Sequence, residues 1–238
     1  MLTNNINESQ AVLIVIPSDI GAYRRRGQVK GARLIHKLIK KMNFDTKILD
    51  YGELFLDHFS LENTHNQIEK DIVKAKSFEK PLLVIGGDHS ISYGCMKSFP
   101  NSQVYMFDAH PDLIKDEKYI THGSFLRHFS NRAIIKGNRY QTKQERNDIT
   151  NLKEIDTNDA YISIDLDVLD PSIMPGVSHP VRKGWDLNKL KNEISNIFEE
   201  KNVVCIDITE FSAIVEHKKS LKVIQELLDF LFQKFLSA

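Results

Sequence analysis

The sequence predicts a three-layer α/β/α fold, in which a central, mostly parallel sheet lies between two layers of helices. Short apolar runs rich in β-branched residues alternate along the chain with segments of helical spacing. Strands that alternate with helices are joined by right-handed crossovers, which produce a parallel sheet covered on both faces. No repeat, low-complexity tract or linker divides the 238 residues, so we expect a single domain over residues 1–238.

The individual elements follow from these patterns. The predicted strands are 11–16, 46–50, 81–85, 102–107, 133–137, the run that starts at Tyr161, and 203–208. The predicted helices are 29–42, 61–78, 92–98, one that contains His128, 143–151 as helix or loop, 187–199 with Asp186 as its N-cap, and 221–236. Loops are expected over 18–27, 113–124 and 174–181.

Composition excludes several classes of function. Lys plus Arg and Asp plus Glu both number 32, so charge gives no reason to expect nucleic acid or an acidic membrane as a partner. The two cysteines, Cys95 and Cys205, lie in apolar contexts without CxxC spacing, which indicates buried thiols and a reducing compartment. The first ten residues do not resemble a signal peptide, and no apolar run reaches the length of a membrane span. We therefore expect a cytoplasmic protein.

Two aspartates mark the end of the strand that starts at Tyr161. Alternate residues of an extended chain share a face, so Asp165 and Asp167 are expected to point the same way. Two unneutralised carboxylates at the end of a buried strand are costly, and a bound cation is the usual compensation. An isolated pair is equally consistent with acids that reach solvent or cap the next turn. Whether the pair indicates a metal site therefore depends on other residues of the chain.

Two more predicted strands end in the same kind of residue. The run 81–85 leads into Gly86-Gly-Asp-His-Ser90, and 102–107 leads into Asp108-Ala-His-Pro-Asp112. The carboxyl ends of parallel strands lie along one edge of the sheet, where such folds place their ligands. Six candidate ligands are expected to converge there: His89, Asp108, His110, Asp112, Asp165 and Asp167.

The composition of this set indicates which ions it would hold. Four carboxylates and two imidazoles without a cysteine form an oxygen-rich set, better suited to Mn²⁺ than to a structural Zn²⁺ site. Six ligands exceed what one ion needs if it keeps a position open for water. The economical interpretation is two Mn²⁺ per chain, bridged by shared carboxylates.

Three segments, in this order, resemble the signatures of the ureohydrolase family, which includes arginase, agmatinase and formimidoylglutamase: 86–90, 108–112 and Ser163-Ile-Asp-Leu-Asp-Val-Leu-Asp-Pro-Ser172. The resemblance spans nearly the whole chain and implies an arginase-like fold. It also implies how the ligands are divided between the ions. His89 and Asp112 would hold one Mn²⁺, His110 and Asp167 would hold the other, and Asp108 and Asp165 would bridge them together with a hydroxide.

Further site residues also follow from the resemblance. The segment His122-Gly-Ser-Phe125 is similar to the family's His-Gly-Thr or His-Gly-Met, which implies that His122 carries a proton to the leaving group. Asp207-Ile-Thr-Glu210 is similar to the family's Asp-x-x-Glu, which implies that Glu210 pairs with the substrate's cation. His122, Glu210 and Ser178 are the expected substrate-binding residues. Without the resemblance, a loop His and a lone Glu would count as ordinary scaffold residues.

The implied activity is attack of the hydroxide on a guanidino carbon, with release of urea and an amine. Ile114 stands where arginases usually carry an Asn that helps to bind the α-carboxylate, and the short loop to His122 is closer to agmatinase. The loop Pro175-Gly-Val-Ser-His179, however, is similar to plant-type arginases and to formimidoylglutamases. A formimidoylglutamase-type hydrolase that releases formamide is therefore the alternative. The resemblance also implies a homo-oligomer, either a trimer or a hexamer.

Two hypotheses from other classes stay open. A single-zinc deacetylase shares this sheet architecture, but the segment 108–112 argues against its ligand set. A non-catalytic binding or assembly module would have been favoured by loss of a ligand, and none is lost. Arg24, Arg25 and Arg26 are either an anion clamp or a solvated loop, and the absence of any second nucleotide motif favours the solvated loop.

Overall fold

One sheet of eight strands runs through the protein, whose computed structural model describes residues 1–23, 25–115 and 118–237. The strands are β1 Leu2–Thr3, β2 Ala11–Ile16, β3 Ile48–Glu53, β4 Leu82–Gly86, β5 Gln103–Phe107, β6 Ala133–Lys136, β7 Asp159–Asp165 and β8 Asn202–Thr209. Their order across the sheet is β1-β3-β2-β4-β8-β7-β5-β6, and every one of these pairings is parallel.

Helices connect the strands. They are α1 Gln28–Ile39, α2 Leu61–Lys76, α3 Ile91–Lys97, α4 Lys143–Ile149, α5 Leu187–Glu200 and α6 Lys218–Ser237, with short 3-10 helices at Ile6–Glu8, Phe125–Arg132 and Leu166–Val168. Side-chain caps fix several of the starting points. Asp186 accepts the amide N–H of Lys189 at the start of α5, and Thr142 and Glu145 form a reciprocal capping box at the start of α4.

Both faces of the sheet are covered, as parallel strands require. In β2 the residues Ala11, Leu13 and Val15 pack in a cluster with α1, α5 and α6, and the residues between them pack in a second cluster with α2 and α3. All six residues of β2 are buried. Such a strand reads as a continuous apolar run instead of an alternating one.

The predicted α/β/α class is confirmed, and the observed bounds differ from the predicted ones by a few residues at most. The two-residue strand β1 was not predicted, because an apolar pattern cannot be recognised over two positions. The segment 143–151 contains a helix, and His128 lies in a 3-10 helix. That residues 1–238 form a single domain stays a prediction. Arg24, two residues of the predicted loop 113–124, and Ala238 lie outside the described residues.

The strands that carry the predicted site are neighbours. β4, β8, β7 and β5 follow one another across the middle of the sheet, so the segments after Gly86, Thr209, Asp165 and Phe107 leave the same edge side by side. Parallel pairing thus brings together segments that lie far apart in sequence.

Two expectations from composition can be compared with the fold. Cys95 and Cys205 are buried and are not linked in a disulfide, as predicted. None of the helices in the described ranges has the length and apolar character needed to cross a bilayer. The cytoplasmic location stays a prediction.

We expect Gly31→Ala to destabilise the protein although alanine favours helices. A Cβ at Gly31 in α1 would lie 1.8 Å from the carbonyl oxygen of Phe211, so the helix would have to move away from the segment that follows β8. Overpacking of this kind costs about 1–3 kcal/mol, which exceeds the roughly 1 kcal/mol gained from helix propensity. Denaturant unfolding measures the difference, with Lys37→Ala on the exposed face of α1 as the matched control. Equal or greater stability of Gly31→Ala would contradict the close contact.

Candidate metal centre and substrate cavity

The six predicted ligands lie together where β4, β5 and β7 end. Among the described residues, donor atoms of five of them form two groups within which every pair lies within 4.8 Å: His89 with Asp108 and Asp165, and Asp108 with His110 and Asp167. The sixth, Asp112, lies beside the first group, with its Oδ2 2.9 Å from Nδ1 of His89. Asp108 belongs to both groups. The predicted convergence of three strand ends is therefore confirmed, whereas the roles of these residues as metal ligands stay predictions.

The first group is arranged around His89. Its Nδ1 atom lies 3.0 Å from Oδ2 of Asp108, 2.9 Å from Oδ2 of Asp112 and 3.4 Å from Oδ2 of Asp165. Despite these short distances, neither His89 Nδ1 nor Asp108 Oδ2, both buried, makes a hydrogen bond of acceptable geometry. Buried polar atoms without partners are rare and call for an explanation. A cation among these atoms would satisfy them.

The second group is arranged around His110. Its Nδ1 atom lies 2.8 Å from Oδ2 of Asp167 and 3.6 Å from Oδ1 of Asp108. Burial would lower the pKa of His110, but the two carboxylates raise it to about 12. Burial opposes ionisation of Asp108 as well, yet the imidazoles of His110 and His89 hold its pKa well below its usual range.

The other three carboxyl groups resist ionisation. Burial and the charge of Asp108 raise the pKa of Asp112 to about 7 and that of Asp167 to about 6. Burial, Asp167 and Asp108 raise the pKa of Asp165 well above its usual value. Crowded, buried carboxylates repel one another, and divalent cations would neutralise them. The oxygen-rich donor set therefore fits such ions.

Turns, and not extended strands, aim these aspartates, so the predicted reason for their alignment is wrong. β7 ends at Asp165, whose Oδ1 accepts the amide N–H of Asp167 at 2.7 Å and starts a 3-10 turn. Asp165 therefore caps the next turn, which was the alternative to metal binding for an isolated pair, and it also lies in the cluster of candidate ligands. Asp112 adopts a φ of 51°, a left-handed conformation that is uncommon outside glycine. Such backbone strain is frequent at functional sites.

An outer layer of hydrogen bonds orients His89. Its Nε2 atom lies 2.9 Å from Oγ of Ser163, which donates to Oδ1 of Asp207 at 2.7 Å. The hydroxyl of Tyr161 donates to the other oxygen of Asp207, and all of these side chains are buried. Second partners of this kind fix the orientation of a ligating imidazole. This layer was not predicted from the sequence, because nothing in a β-strand pattern distinguishes a buried Ser from a packing residue.

His122 and Glu210 form a pair beside the metal centre. His122 Nδ1 lies 3.2 Å from Oε1 of Glu210, which also accepts the amide N–H of His89 at 2.9 Å. Burial would lower the pKa of His122, but Glu210 raises it to about 9. Burial would raise the pKa of Glu210, but His122 and Gln28 lower it. Glu210 has a φ of 66°, so its backbone is also in the left-handed region.

Gln28 was not identified from the sequence, although it orients Glu210. Its Nε2 atom donates to Oε2 of Glu210 and to Oγ of Ser178, both at 2.8 Å. Gln28 lies in the first turn of α1 and is fully buried, and helical spacing alone gives no sign of such a contact. Its position follows from the packing of α1 against the end of β8.

A cavity of about 190 Å³ opens onto both groups of ligands. The lining includes ligands His110, Asp112, Asp165 and Asp167, the pair His122 and Glu210, and also Tyr23, Ile114, Tyr140, Glu145 and His179. Larger depressions lie elsewhere on the surface, at the opposite end of the strands and around Phe59, but none of the predicted ligands lines them. The chemistry and the cavity thus coincide.

Ser178 lies outside this lining. It is fully buried, and its Oγ accepts from Gln28 and donates to the carbonyl oxygen of Arg25. The next residue, His179, lines the cavity in its place. Direct substrate binding by Ser178 stays a prediction; the observed contacts give it a role in holding Gln28. Arg25 donates to the carbonyl oxygen of Ser178 at 2.9 Å, and Arg26 lies 3.9 Å from Asp19. That these arginines belong to a solvated loop stays a prediction.

Comparison with known proteins gives a consistent result. The sequence matches the model of the arginase family over residues 9–144 and 141–231. It is 25% identical to the agmatinase of Blochmanniella floridana, over 86% of this chain and 81% of that protein. It is 31% identical to the mitochondrial arginase 1 of Arabidopsis thaliana, over 59% of this chain and 51% of that protein.

Solved structures show the same fold. The agmatine ureohydrolase of Thermoplasma volcanium superposes with a TM-score of 0.86 at 20% identity, covering 98% of this chain and 92% of that one. The Trypanosoma cruzi formiminoglutamase with Mn²⁺ gives a TM-score of 0.84 at 18% identity, covering 98% and 94%. The predicted arginase-like fold is therefore confirmed. Since the family model spans nearly the whole sequence and the fold agrees with it, the chain belongs to the arginase family.

Proposed function

We propose that the chain is a two-manganese amidinohydrolase that cleaves a guanidino C–N bond and releases urea and an amine. Members of the arginase family named agmatinase and arginase are hydrolases of C–N bonds in linear amidines, and this chain shares their fold and motifs. The observation that carries the proposal is the position of Asp108. It joins two groups of ligands at the floor of a cavity that also contains the His122–Glu210 pair.

The ligands would divide between the ions much as the sequence implied. His89, Asp112 and Asp165 surround one position, His110 and Asp167 surround the other, and Asp108 contributes to both. When bound, the ions would supply a water activated for attack and neutralise the developing negative charge. The geometry supports Asp108 as a bridging carboxylate more directly than Asp165, whose donor atoms fall in one group only.

Glu210 would bind the substrate's cation. Its carboxylate accepts from His89, His122 and Gln28, and a carboxylate offers about four acceptor positions, which leaves room for a guanidinium N–H. Charge-assisted bonds from that cation would hold the planar carbon above the two ion positions. His122, held by the same carboxylate, would deliver a proton to the departing nitrogen.

The cavity favours a substrate without a carboxylate near its tail. None of the described lining residues is Lys or Arg, and Ile114 contributes an apolar side chain. Glu145, which lines the cavity and is only 5% exposed, adds negative charge at the start of α4. The protonated His110 and His122 already face carboxylates of their own, Asp167 and Glu210. Glu145 would therefore repel a substrate carboxylate and attract an amine. This supports an agmatine-like substrate over arginine and over formiminoglutamate, although the latter stays the alternative.

A substrate panel tests the proposed function. Protein loaded with Mn²⁺ should release urea from agmatine with a kcat/KM at least about ten-fold above that for arginine, since loss of one unfavourable charge contact of about 1.4 kcal/mol suffices. Guanidinobutyrate, guanidinopropionate and formiminoglutamate complete the panel, the last with formamide as the measured product. Glu145→Gln should reduce the ratio of kcat/KM for agmatine to that for arginine, because it removes the negative charge. Formamide release without urea would assign the chain to the formimidoylglutamase-type alternative, and absence of both products would favour a non-catalytic module.

A homo-oligomer stays a prediction from family resemblance.

Asp108→Asn should remove both ions. The carboxylate contributes to both groups of ligands, so its loss disturbs two positions, whereas Asp112→Asn should mainly empty the one around His89. Elemental analysis after dialysis should give close to zero Mn²⁺ per chain for Asp108→Asn and about one for Asp112→Asn, against about two for the parent. Asp45→Asn, an exposed aspartate far from the cavity, serves as the control. Equal metal loss from the two site variants would contradict sharing by Asp108.

His122→Asn should lower kcat by about 10²- to 10⁴-fold with Mn²⁺ retained, because it removes the proton donor but none of the six proposed manganese ligands. In the parent protein, kcat/KM should fall as pH rises through about 9, since His122 must be protonated to act and Glu210 raises its pKa to that value. The variant should lose this alkaline limb. Glu210→Gln should shift the limb to lower pH and raise KM. Loss of metal from His122→Asn, or an unchanged alkaline limb, would contradict the assigned role.

A further inference from the structure

A third group of potential metal ligands lies in the cavity, outside the six residues already discussed. Donor atoms of His122, His179 and Glu210 lie within 4.8 Å of one another. The rings of His122 and His179 are 5.3 Å apart between centroids, and His122 Nδ1 is 3.2 Å from Glu210. All three side chains line the same cavity and come from three separate loops.

The chemistry of this group differs from that of the six-ligand centre. Two imidazoles and one carboxylate form a nitrogen-rich set, and the same combination with one open position is found in catalytic Zn²⁺ sites. Imidazole suits Zn²⁺, Cu²⁺ and Ni²⁺, whereas carboxylate oxygens suit Mn²⁺. One cavity therefore contains an oxygen-rich centre and, beside it, a centre that prefers a different class of ion.

Neighbouring residues hold the three side chains of this group in place. Gln28 donates to Oε2 of Glu210, whereas Oε1 accepts the amide N–H of His89 and has a second acceptor position on the side of His122. The ring of Tyr23 packs 5.2 Å from that of His122, and His110 lies 6.3 Å from His179 between ring centroids. Outer contacts of this kind orient ligating side chains and strengthen metal binding. The three donors are thus held by partners that do not compete for the space between them.

We propose that His122, His179 and Glu210 form a binding site for Zn²⁺ that inhibits the enzyme while the two-ion centre stays occupied. Zinc at this position would take the nitrogen of His122 that faces Glu210, and the proton on that nitrogen would pass to solvent. It would also occupy the carboxylate that is available to the substrate's cation. Inhibition should therefore be competitive with the guanidino substrate. The inhibitory effect rests on the proposed function, whereas zinc binding does not.

Equilibrium dialysis of the manganese-loaded protein against Zn²⁺, with Mn²⁺ kept in excess, tests the site directly. Elemental analysis should show about one Zn²⁺ bound per chain while the Mn²⁺ content is unchanged. His179→Ala should weaken this zinc binding by at least about ten-fold, since it removes one of three ligands. His179→Asn preserves size and polarity without an imidazole and should behave in the same way. His58→Ala, an exposed histidine outside the cavity, controls for binding to surface imidazoles.

Inhibition is measured separately on the same proteins. In the parent, Zn²⁺ should raise KM for the guanidino substrate, and the inhibition constant should increase by at least about ten-fold in both His179 variants but not in His58→Ala. Zinc that enters by displacing Mn²⁺, or that binds both His179 variants as tightly as the parent, would overturn the site. Zinc bound without an effect on KM would overturn the inhibitory role. If no substrate is hydrolysed at all, the dialysis result still decides the zinc site, so the two failures are distinguishable.

Discussion

The site depends on one electrostatic constraint, which is that four buried carboxylates share a small volume at one edge of the sheet. Burial and mutual repulsion disfavour their ionised forms, and His89 and His110 offset this for Asp108 but not for the others. Divalent cations neutralise such a cluster. The backbone strain at Asp112 and the network behind His89 are consistent with a scaffold that holds the ligands in place against this repulsion.

Parallel topology makes that concentration of charge possible. β4, β8, β7 and β5 are adjacent, so four loops from distant parts of the sequence meet above the middle of the sheet. Helices on both faces bury the strands, so the solvent-accessible positions of the central strands lie at their ends. The cavity at the carboxyl ends of the strands is therefore bordered by the candidate metal ligands together with His122 and Glu210, and the loops that carry them follow buried strands.

Much of this arrangement could be predicted from the sequence, because strand patterns and motif order depend on local chemistry. Apart from the two-residue β1, the described strands were predicted, and so was the convergence of the six candidate ligands. The family resemblance pointed to His122 and Glu210, whose roles stay predictions. Contacts that depend on packing could not be foreseen. Gln28 reaches Glu210 only because α1 lies against the end of β8, and Ser178 is buried outside the cavity lining, which contains His179 instead. The turn geometry at Asp165 and Asp112 could not be predicted from the sequence either, since it depends on a side-chain cap at Asp165 and on a left-handed backbone at Asp112.

The amide N–H of His89 donates to Glu210, and this contact joins two functions in one short segment. The imidazole of His89 lies in the candidate metal centre, while its backbone holds the carboxylate that we propose binds the substrate's cation. Any movement of this residue on metal loading would therefore be transmitted to Glu210 without an intermediary. Thermodynamic linkage makes such coupling reciprocal. If an ion beside His89 raises the affinity of Glu210 for the substrate's cation, the bound substrate would raise the affinity for that ion by the same factor. Substrate and metal would in this way protect each other against loss.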